Sequence, residues 1–181
     1  MAATSRTREI TRTHSEVHPY DQVVAMLEER NRRSETGRIV IKAKDRPRTQ
    51  SRQDFTRRYV YPVSGEGVVD DTALQDWMVF AQLIRTMSGK HTHQGGLCLH
   101  VLKGKGHTTL GDERVDWKEG DLVLLPVVPG GIEHQHFNDD PDGPSEWLAT
   151  IHMPFWNVLS SELRQISNSP DYKEPGVEPH A

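Results

Sequence analysis

Two pairs of histidines, each pair separated by one residue, are the groups in this sequence whose type and spacing best suit chemistry. His91 and His93 form the first pair, and His134 and His136 form the second. On a β-strand, residues i and i+2 point to the same face, so each pair can present two imidazoles to one interior space. The spacing therefore predicts a metal site built from His91, His93 and one nitrogen of the second pair. An isolated pair is more often two surface or core histidines, so the surrounding elements carry the argument.

Short strand-forming runs lie around both pairs. Gly111 and Asp112 separate two of these runs and are typical of a two-residue hairpin turn. Strands at such regular spacing predict an all-β sandwich or barrel, which can bring the two histidine pairs together. The runs cover residues 77–87, 97–103, 107–110, 114–117, 122–125, 134–138 and 146–153.

Helices and further strands are predicted on both sides of the barrel. The first helix begins at Pro19 and ends at Gly37. Strands are predicted at 38–42 and 58–61, with a polar loop at 45–55 between them, and a helix is predicted within 156–166. The chain thus divides into four predicted regions. They are a flexible basic arm (1–16), an N-terminal helix with strands that pack on the barrel or on a partner subunit (17–62), the barrel (63–157), and a short helix with a loose tail (158–181).

Composition excludes several classes of protein. The chain has 181 residues, which suits one domain, and its mean hydropathy is −0.69. No stretch approaches the roughly 20 apolar residues of a membrane-spanning helix, and the N-terminus lacks the apolar core of a secretory signal, so we expect a cytoplasmic protein. The single cysteine, Cys98, excludes an internal disulfide and a Cys-rich zinc module, and we expect it to be a packed core thiol.

Charge is distributed unevenly along the chain. Residues 1–62 hold 14 Lys and Arg against 8 Asp and Glu, and the remaining residues hold 8 against 18. The basic segment is expected to pack on the acidic body of its own chain or of a partner subunit. Nucleic-acid binding is the alternative, but no helix-turn-helix pattern accompanies the basic segment, so we do not expect it.

Several glycine and proline turns flank the histidines in a recognisable order. The segment Gly89-Lys90-His91-Thr92-His93 with 101–106, and Gly120-Asp121 with 126–138, resemble the two signature motifs of the cupin superfamily. The resemblance implies a small antiparallel double-stranded β-helix, or jelly-roll, barrel that holds one metal ion. It also implies His91, His93 and His134 as the metal ligands, with Asn138 at the end of the second motif.

One position departs from the usual motif. The metal-binding glutamate that follows the histidine pair falls at Leu97, and its neighbours are not carboxylates either. Three neutral imidazoles would leave a divalent ion with its full charge and with open positions for a bidentate substrate and dioxygen. The resemblance is therefore to the three-histidine branch, and above all to gentisate and related hydroxyaromatic dioxygenases, most of which are two-barrel chains.

The resemblance implies an Fe(II)-dependent dioxygenase that cleaves a C–C bond of a small hydroxyaromatic or diketone-like substrate, as in aromatic compound catabolism. Zn, Ni or Mn are the alternative ions, and a non-oxidative lyase or isomerase, or a non-enzymatic small-molecule-binding protein, are the alternative functions. His136 is the candidate catalytic residue, with filling of the pocket as its alternative role. Leu97, Trp147 and His152 are expected at the substrate pocket. By analogy with small cupins, we expect a homodimer or higher homo-oligomer that exchanges residues 38–42.

Overall fold

The computed structural model describes residues 18–62, 71–159 and 162–173. The expected arm at 1–16 and the end of the expected tail lie outside these residues. The described α-helices are α1 (Pro19–Thr36) and α2 (Met153–Val158), and Ala43–Asp45 forms a short 3₁₀ helix. The described strands, in chain order, are β1 (Arg48–Ser51), β2 (Asp54–Val60), β3 (Trp77–Ile84), β4 (Lys90–His93), β5 (Leu97–Lys103), β6 (Lys105–Leu110), β7 (Glu113–Lys118), β8 (Leu122–Leu125), β9 (Ile132–Asn138), β10 (Ser145–His152) and β11 (Arg164–Ser167).

Two antiparallel sheets form the barrel. The larger sheet has the strand order β1-β2-β3-β10-β5-β8, and the smaller sheet has the order β11-β4-β9-β6-β7. Many neighbouring strands are distant along the chain, which is the connectivity of a jelly roll. The prediction of an all-β jelly-roll barrel with an N-terminal helix and a short C-terminal helix is confirmed.

The core lies between the sheets because inward and outward residues alternate along each strand. In β5, Leu97, Leu99 and Val101 are buried, whereas Cys98 is exposed. The expectation of a packed core thiol is therefore wrong, since Cys98 has the opposite parity to its buried neighbours. The same alternation in β10 buries Trp147, Ala149 and Ile151.

The predicted hairpin at Gly111 and Asp112 is confirmed. Leu110 at the end of β6 lies opposite Glu113 at the start of β7, which leaves these two residues as the turn. Gly111 has a φ of 58°. A two-residue hairpin turn of this kind requires positive φ, which glycine adopts without strain.

The N-terminal region differs from the prediction in two places. Residues 38–42 form no strand, and the side chains of Ile39 and Val40 are 92% and 73% exposed. Their β-branched side chains favour a strand locally, but in the described chain only Arg38 makes a bridge, to Thr72. The expected polar loop at 45–55 instead holds β1 and the start of β2, which pair with each other and extend the larger sheet through β3. The larger sheet thus includes two strands, β1 and β2, that lie before residue 63, where the barrel is predicted to begin.

Polar contacts attach α1 to the chain segment that precedes β3. Nη2 of Arg30 forms an ion pair with Asp76, and Nε2 of Gln75 donates a hydrogen bond to the carbonyl oxygen of Arg30 at 2.7 Å. None of the described residues of α1 is buried. Neither helix of the described ranges is long and apolar enough to cross a membrane.

The chain returns to the smaller sheet after β10. α2 begins at Met153, earlier than predicted, and ends at Val158. Residues 164–167 then form β11, which pairs with the histidine strand β4, where the end of a helix and a loose tail are predicted. Ile166 is the only large apolar residue of β11, so hydrophobic alternation gave no sign of this strand. β11 covers an edge of β4 that would otherwise be open.

Candidate metal centre and ligand cavity

The pairing of β4 with β9 brings the two histidine pairs together. His91 lies directly opposite His134 in the antiparallel register, and His93 lies opposite Ile132. Directly opposed residues have Cβ atoms about 4.5–5.5 Å apart, so the register alone brings these imidazoles within reach of each other. Because His91 and His93 are two residues apart, all three rings meet at the inner face of the smaller sheet.

The three imidazoles form a compact cluster. The ring centroids are 4.2 Å apart for His91 and His134, 4.5 Å for His93 and His134, and 5.3 Å for His91 and His93. One ligand nitrogen of each ring lies within 4.8 Å of those of the other two. His93 and His134 are buried and His91 is partly buried. Imidazole nitrogens lie roughly 2.1 Å from a first-row metal ion, so the three rings are close enough together to be candidate ligands of one ion.

Burial keeps the three rings neutral. Removal from water penalises the imidazolium form, so burial first, and the neighbouring His134 second, lower the pKa of His91 and of His93 to about 3. Burial also lowers the pKa of His134. The neutral imidazole is the form that binds a metal ion, so the cluster has this form at neutral pH.

Hydrogen bonds at Nδ1 determine which nitrogen each neutral ring offers. Nδ1 of His134 lies 3.0 Å from the carbonyl oxygen of Ile132, and Nδ1 of His91 lies 3.5 Å from a backbone carbonyl. Both rings therefore carry the proton on Nδ1 and leave the lone pair of Nε2 for an ion. In His93, Nδ1 accepts from the N–H of Gly95 at 3.0 Å, which assigns the proton to Nε2. The three imidazoles fit a divalent ion through Nε2 when the proton of His93 moves from Nε2 to Nδ1. This move breaks the hydrogen bond that Nδ1 accepts from the N–H of Gly95.

Within the described ranges, no carboxylate belongs to the histidine cluster. Among the described residues that line the cavity in front of the cluster, none is Asp or Glu. Leu97, at the position where the resemblance implies a glutamate, is buried and lines that cavity. The residues present therefore suit an ion held by neutral nitrogen ligands alone.

The cluster opens into a cavity of about 300 Å³ between the sheets. This volume is at the lower end of the range of small-molecule sites, which are mostly apolar with a few polar groups. The larger sheet lines it with Phe80, Leu99, Trp147 and Ile151, among others. Trp156 of α2 also lines the cavity, and its ring centroid lies 5.1 Å from that of His93.

A chain of hydrogen bonds links the polar residues of the wall formed by β1, β2 and β3. The Thr56 hydroxyl donates to Oε1 of Gln82 at 2.8 Å and lies 2.8 Å from the Ser51 hydroxyl. Nε2 of Gln82 donates to the carbonyl oxygens of Gln53 and Phe55 at 2.9 and 3.1 Å. Because its amide is paired inside the protein, the buried Gln82 holds this wall together.

His136 lines the same cavity and is fully buried. Its Nδ1 lies 2.8 Å from Oγ1 of Thr108, which also accepts from Nε1 of Trp117 at 2.9 Å. The buried Thr108 hydroxyl has its own proton to donate, and among its described partners only Nδ1 of His136 can accept it, so the neutral ring carries its proton on Nε2. Burial holds the pKa of His136 well below its usual value. His136 is thus a hydrogen-bond donor beside the metal cluster, with its other nitrogen fixed by Thr108.

Of the three residues expected at the substrate pocket, two line the cavity and one does not. Leu97 and Trp147 line the cavity. His152 does not: its side chain is exposed and its ring packs on Trp77, with centroids 5.1 Å apart. The placement of His152 at the pocket is wrong because it lies an odd number of residues from Trp147 on β10 and so faces the opposite side.

Sequence analysis missed the cavity residues of β2 and α2. Thr56 and Arg58 both line the cavity, and their spacing of two along a strand is the signal that could have paired them. Arg52 and Arg58 are the only charged residues among the described lining residues, so the wall carries positive charge. Trp156 belongs to a helix predicted to begin there, and its orientation depends on the turn that follows β10.

A second group of potential ligands, on the surface, is an ion-pair network. His107, Asp116 and Asp139 lie close together. Nε of Arg114 binds Asp116 at 2.8 Å and Nη2 of Arg114 binds Asp139 at 3.1 Å. Both carboxylates of this group are therefore already paired with the guanidinium of Arg114.

Facing antiparallel sheets around a buried histidine cluster define a jelly-roll barrel with a candidate metal site. Residues 84–151 match the family described as the cupin domain. The matched residues include both histidine pairs, and so the match lies in the part of the chain whose motifs resemble this family.

Individual proteins extend the comparison. The chain is 29% identical over 107 residues to gentisate 1,2-dioxygenase from Haloferax sp, an alignment that covers 59% of this chain and 27% of that protein. The chain thus spans about a quarter of the length of this curated relative.

Among solved structures, the polyketide cyclase RemF from Streptomyces resistomycificus is similar with a TM-score of 0.51 and 14% identity, over 74% of this chain and 89% of that chain. Salicylate 1,2-dioxygenase from Pseudoaminobacter salicylatoxidans aligns with a TM-score of 0.48 and 14% identity, over 82% of this chain and 36% of that chain. The similarity to RemF supports the fold.

Proposed function

We propose that the protein is an Fe(II)-dependent dioxygenase that cleaves a C–C bond of a small hydroxyaromatic or diketone-like substrate. The observation that carries the proposal is the cluster of His91, His93 and His134, which is neutral and faces a largely apolar cavity with no carboxylate among its described lining residues. The similarity to gentisate 1,2-dioxygenase supports the same class of reaction. These three residues would hold the ion, and Fe(II), when bound, supplies the redox chemistry that lets dioxygen react with a chelated substrate.

The protein's own side chains would bind the substrate and exclude water. Leu97, Leu99 and Ile151 form an apolar wall opposite the histidines, which favours the flat apolar body of a small ring. His136 offers Nε2–H as a donor and is held in one orientation by Thr108. Such a fixed donor orients a substrate oxygen without the cost of reorganising water at the moment of reaction.

Metal analysis with matched variants tests the proposal. The wild-type protein, purified without added metal, should hold close to one iron per chain, and the double variant His91→Ala, His134→Ala should hold none. His100→Ala is the control, because His100 is exposed on the outer face of β5. Iron-loaded wild type and His100→Ala should consume dioxygen with a catechol, a hydroxybenzoate or a diketone, whereas the double variant should not.

The other outcomes identify the alternatives. Stoichiometric zinc, nickel or manganese without oxygen consumption after iron loading would replace the proposal with a non-oxidative lyase or isomerase. Absence of metal even after reconstitution would leave a small-molecule-binding barrel. The homo-oligomeric state and the cytoplasmic location stay predictions.

A further inference from the structure

One edge of the larger sheet is apolar and exposed. Among the described strands, β8 is the last of that sheet and pairs only with β5. On its outer face the side chains of Leu122 and Leu124 are 56% and 61% exposed, and Leu102 on the same face of β5 is 43% exposed. An exposed apolar edge strand is a template for pairing with another strand, so folded proteins normally cover it or charge it.

The other three sheet edges that the structure describes are polar. β1, at the opposite edge of the larger sheet, has no apolar residue, and β11, at one edge of the smaller sheet, has only Ile166. β7, at the remaining edge, exposes four charged side chains, those of Glu113, Arg114, Asp116 and Lys118. Such residues discourage strand pairing between molecules. All four residues of β8 are aliphatic, so this edge alone lacks that protection among those described.

The free side of β8 has unpaired backbone groups. The carbonyl oxygens of Asp121 and Leu125 accept backbone hydrogen bonds from the β5 side. Successive residues of an antiparallel strand point their backbone groups to opposite sides, so the N–H and C=O groups of Leu122 and Leu124 point away from β5. These groups make no backbone hydrogen bond with any part of the chain that the structure describes. A groove of about 450 Å³ lies beside them, which leaves the edge open to another strand.

We propose that β8 pairs antiparallel with β8 of a second copy of this chain, which joins the two larger sheets into one continuous sheet. A two-fold axis at Val123 would place Leu122 of each copy opposite Leu124 of its partner, so that the free backbone groups of the two copies pair with each other. The same register sets the exposed leucines side by side on the outer face, where cross-strand pairs stabilise a sheet. A symmetric pair also leaves no further β8 edge open. The inference does not depend on a bound metal ion or substrate.

Charge does not oppose this contact. Asp121 is the charged residue next to β8 in the chain, and the register places it opposite Leu125 of the partner. The two copies of Asp121 would then lie about 13 Å apart along the strands, because a strand rises ~3.3 Å per residue. That separation exceeds the ~8–10 Å over which salt screens exposed charges. The four-residue strand makes a small interface, so we expect a dissociation constant in the micromolar range.

Sedimentation equilibrium of the full chain tests the association. Wild type should form dimers as its concentration rises. Leu124→Lys places a charge on the edge strand and should raise the dissociation constant about tenfold or more. Ile166→Lys is the matched control, because Ile166 is an apolar residue that is 46% exposed on another edge strand, and this variant should dimerise as wild type does. Thermal unfolding should find both variants folded, since both side chains are exposed in the single chain.

Amide hydrogen exchange, followed by nuclear magnetic resonance, shows whether the strands themselves pair. In wild type the amides of Leu122 and Leu124 should exchange several-fold more slowly as the concentration rises. Those of Val123 and Leu125 face β5 and should be protected at every concentration. Leu124→Pro removes one N–H from the free edge without removing a hydrogen bond to β5, so it should weaken the dimer as Leu124→Lys does.

Other results would overturn the inference. A chain that stays monomeric up to millimolar concentration, with unprotected edge amides, has an open β8 edge. A monomer whose Leu122 and Leu124 amides are protected has that edge covered by another part of the same chain. A dimer that both variants of Leu124 leave intact uses a different surface, and a dimer whose edge amides stay unprotected packs the leucines without joining the sheets.

Discussion

The histidine strands of the smaller sheet and the strands β5 and β10 of the larger sheet bring opposite chemistry to one cavity. The smaller sheet contributes buried polar side chains, such as His134 and His136, which are 1% and 2% exposed. Strands β5 and β10 of the larger sheet contribute apolar side chains at the same depth, such as Leu99 and Ile151. One wall can therefore hold an ion and donate hydrogen bonds, while the other excludes water and fits an apolar molecule.

This contrast explains the protonation state of the histidines. An imidazole at the surface takes a proton near its ordinary pKa, because water stabilises the charge. Opposite an apolar wall that stabilisation is lost, and the pKa values of His91 and His93 are lowered to about 3 by burial first. The capacity of the smaller sheet to bind a metal ion at neutral pH thus depends on the apolar character of the larger sheet.

Lowering the pH should destabilise the metal-free protein, and we expect this effect to be the largest. In the unfolded chain His91 and His93 regain a pKa near 6.5, so below pH 6.5 the unfolded state binds protons that the folded state does not. Stability of the metal-free protein is therefore intact above about pH 6.5 and falls as the pH drops toward 3. Each histidine contributes a loss of up to about 1.4 kcal/mol per pH unit, so the pair should cost several kcal/mol between pH 6.5 and 4.5. Denaturant unfolding at several pH values measures it.

The control for the acid experiment replaces the two histidines. His91→Ala, His93→Ala should show a flatter dependence of the free energy of unfolding on pH between 6.5 and 4.5, while His100→Ala, which alters an exposed histidine, should follow wild type. A double variant with the same slope as wild type would mean that the two rings are not held neutral by the fold.

The histidine wall was accessible to sequence analysis because its pattern is local. His91 and His93 lie two residues apart on one strand, as do His134 and His136, and this spacing fixes a shared face. The strand that carries each histidine pair could be recognised from the sequence. The cupin-like motifs indicated that the two strands lie together. The register that places His91 opposite His134 follows from the barrel fold, to which the motif points.

The opposite side of the cavity was less accessible because it is assembled from distant and polar segments. β1 has no large apolar residue, and a strand without hydrophobic alternation resembles a loop in the sequence. Ile39 and Val40 show the converse error, because β-branched residues favour a strand only where a partner strand exists. Pairing partners are set by tertiary structure, which propensity does not contain.

Placing a carboxylate on the apolar wall should have the second largest effect. Leu97→Glu buries an ionisable group in front of the histidines and should lower the stability of the metal-free protein by about 3 kcal/mol. A divalent ion should restore most of that loss, because the carboxylate becomes a fourth ligand. Leu97→Gln has nearly the same shape without the charge and should gain less from the ion. Thermal unfolding with and without Zn(II) compares the two variants, and equal stabilisation by the ion would show that residue 97 does not reach the site.

Removing one hydroxyl from the histidine wall should have the smallest effect. Thr108→Val keeps the shape of the side chain but leaves Nδ1 of His136 and Nε1–H of Trp117 without their buried partner. We expect a loss of about 1–2 kcal/mol in the free energy of unfolding. Thr109→Val is the matched control, because the Thr109 hydroxyl makes only a long bond of 3.5 Å, to the carbonyl oxygen of Gln135. If both variants unfold at the same denaturant concentration, the buried polar groups of the smaller sheet do not stabilise it. A selective loss in Thr108→Val would show that this wall is held by specific hydrogen bonds, whereas β5 and β10 opposite it pack through apolar side chains.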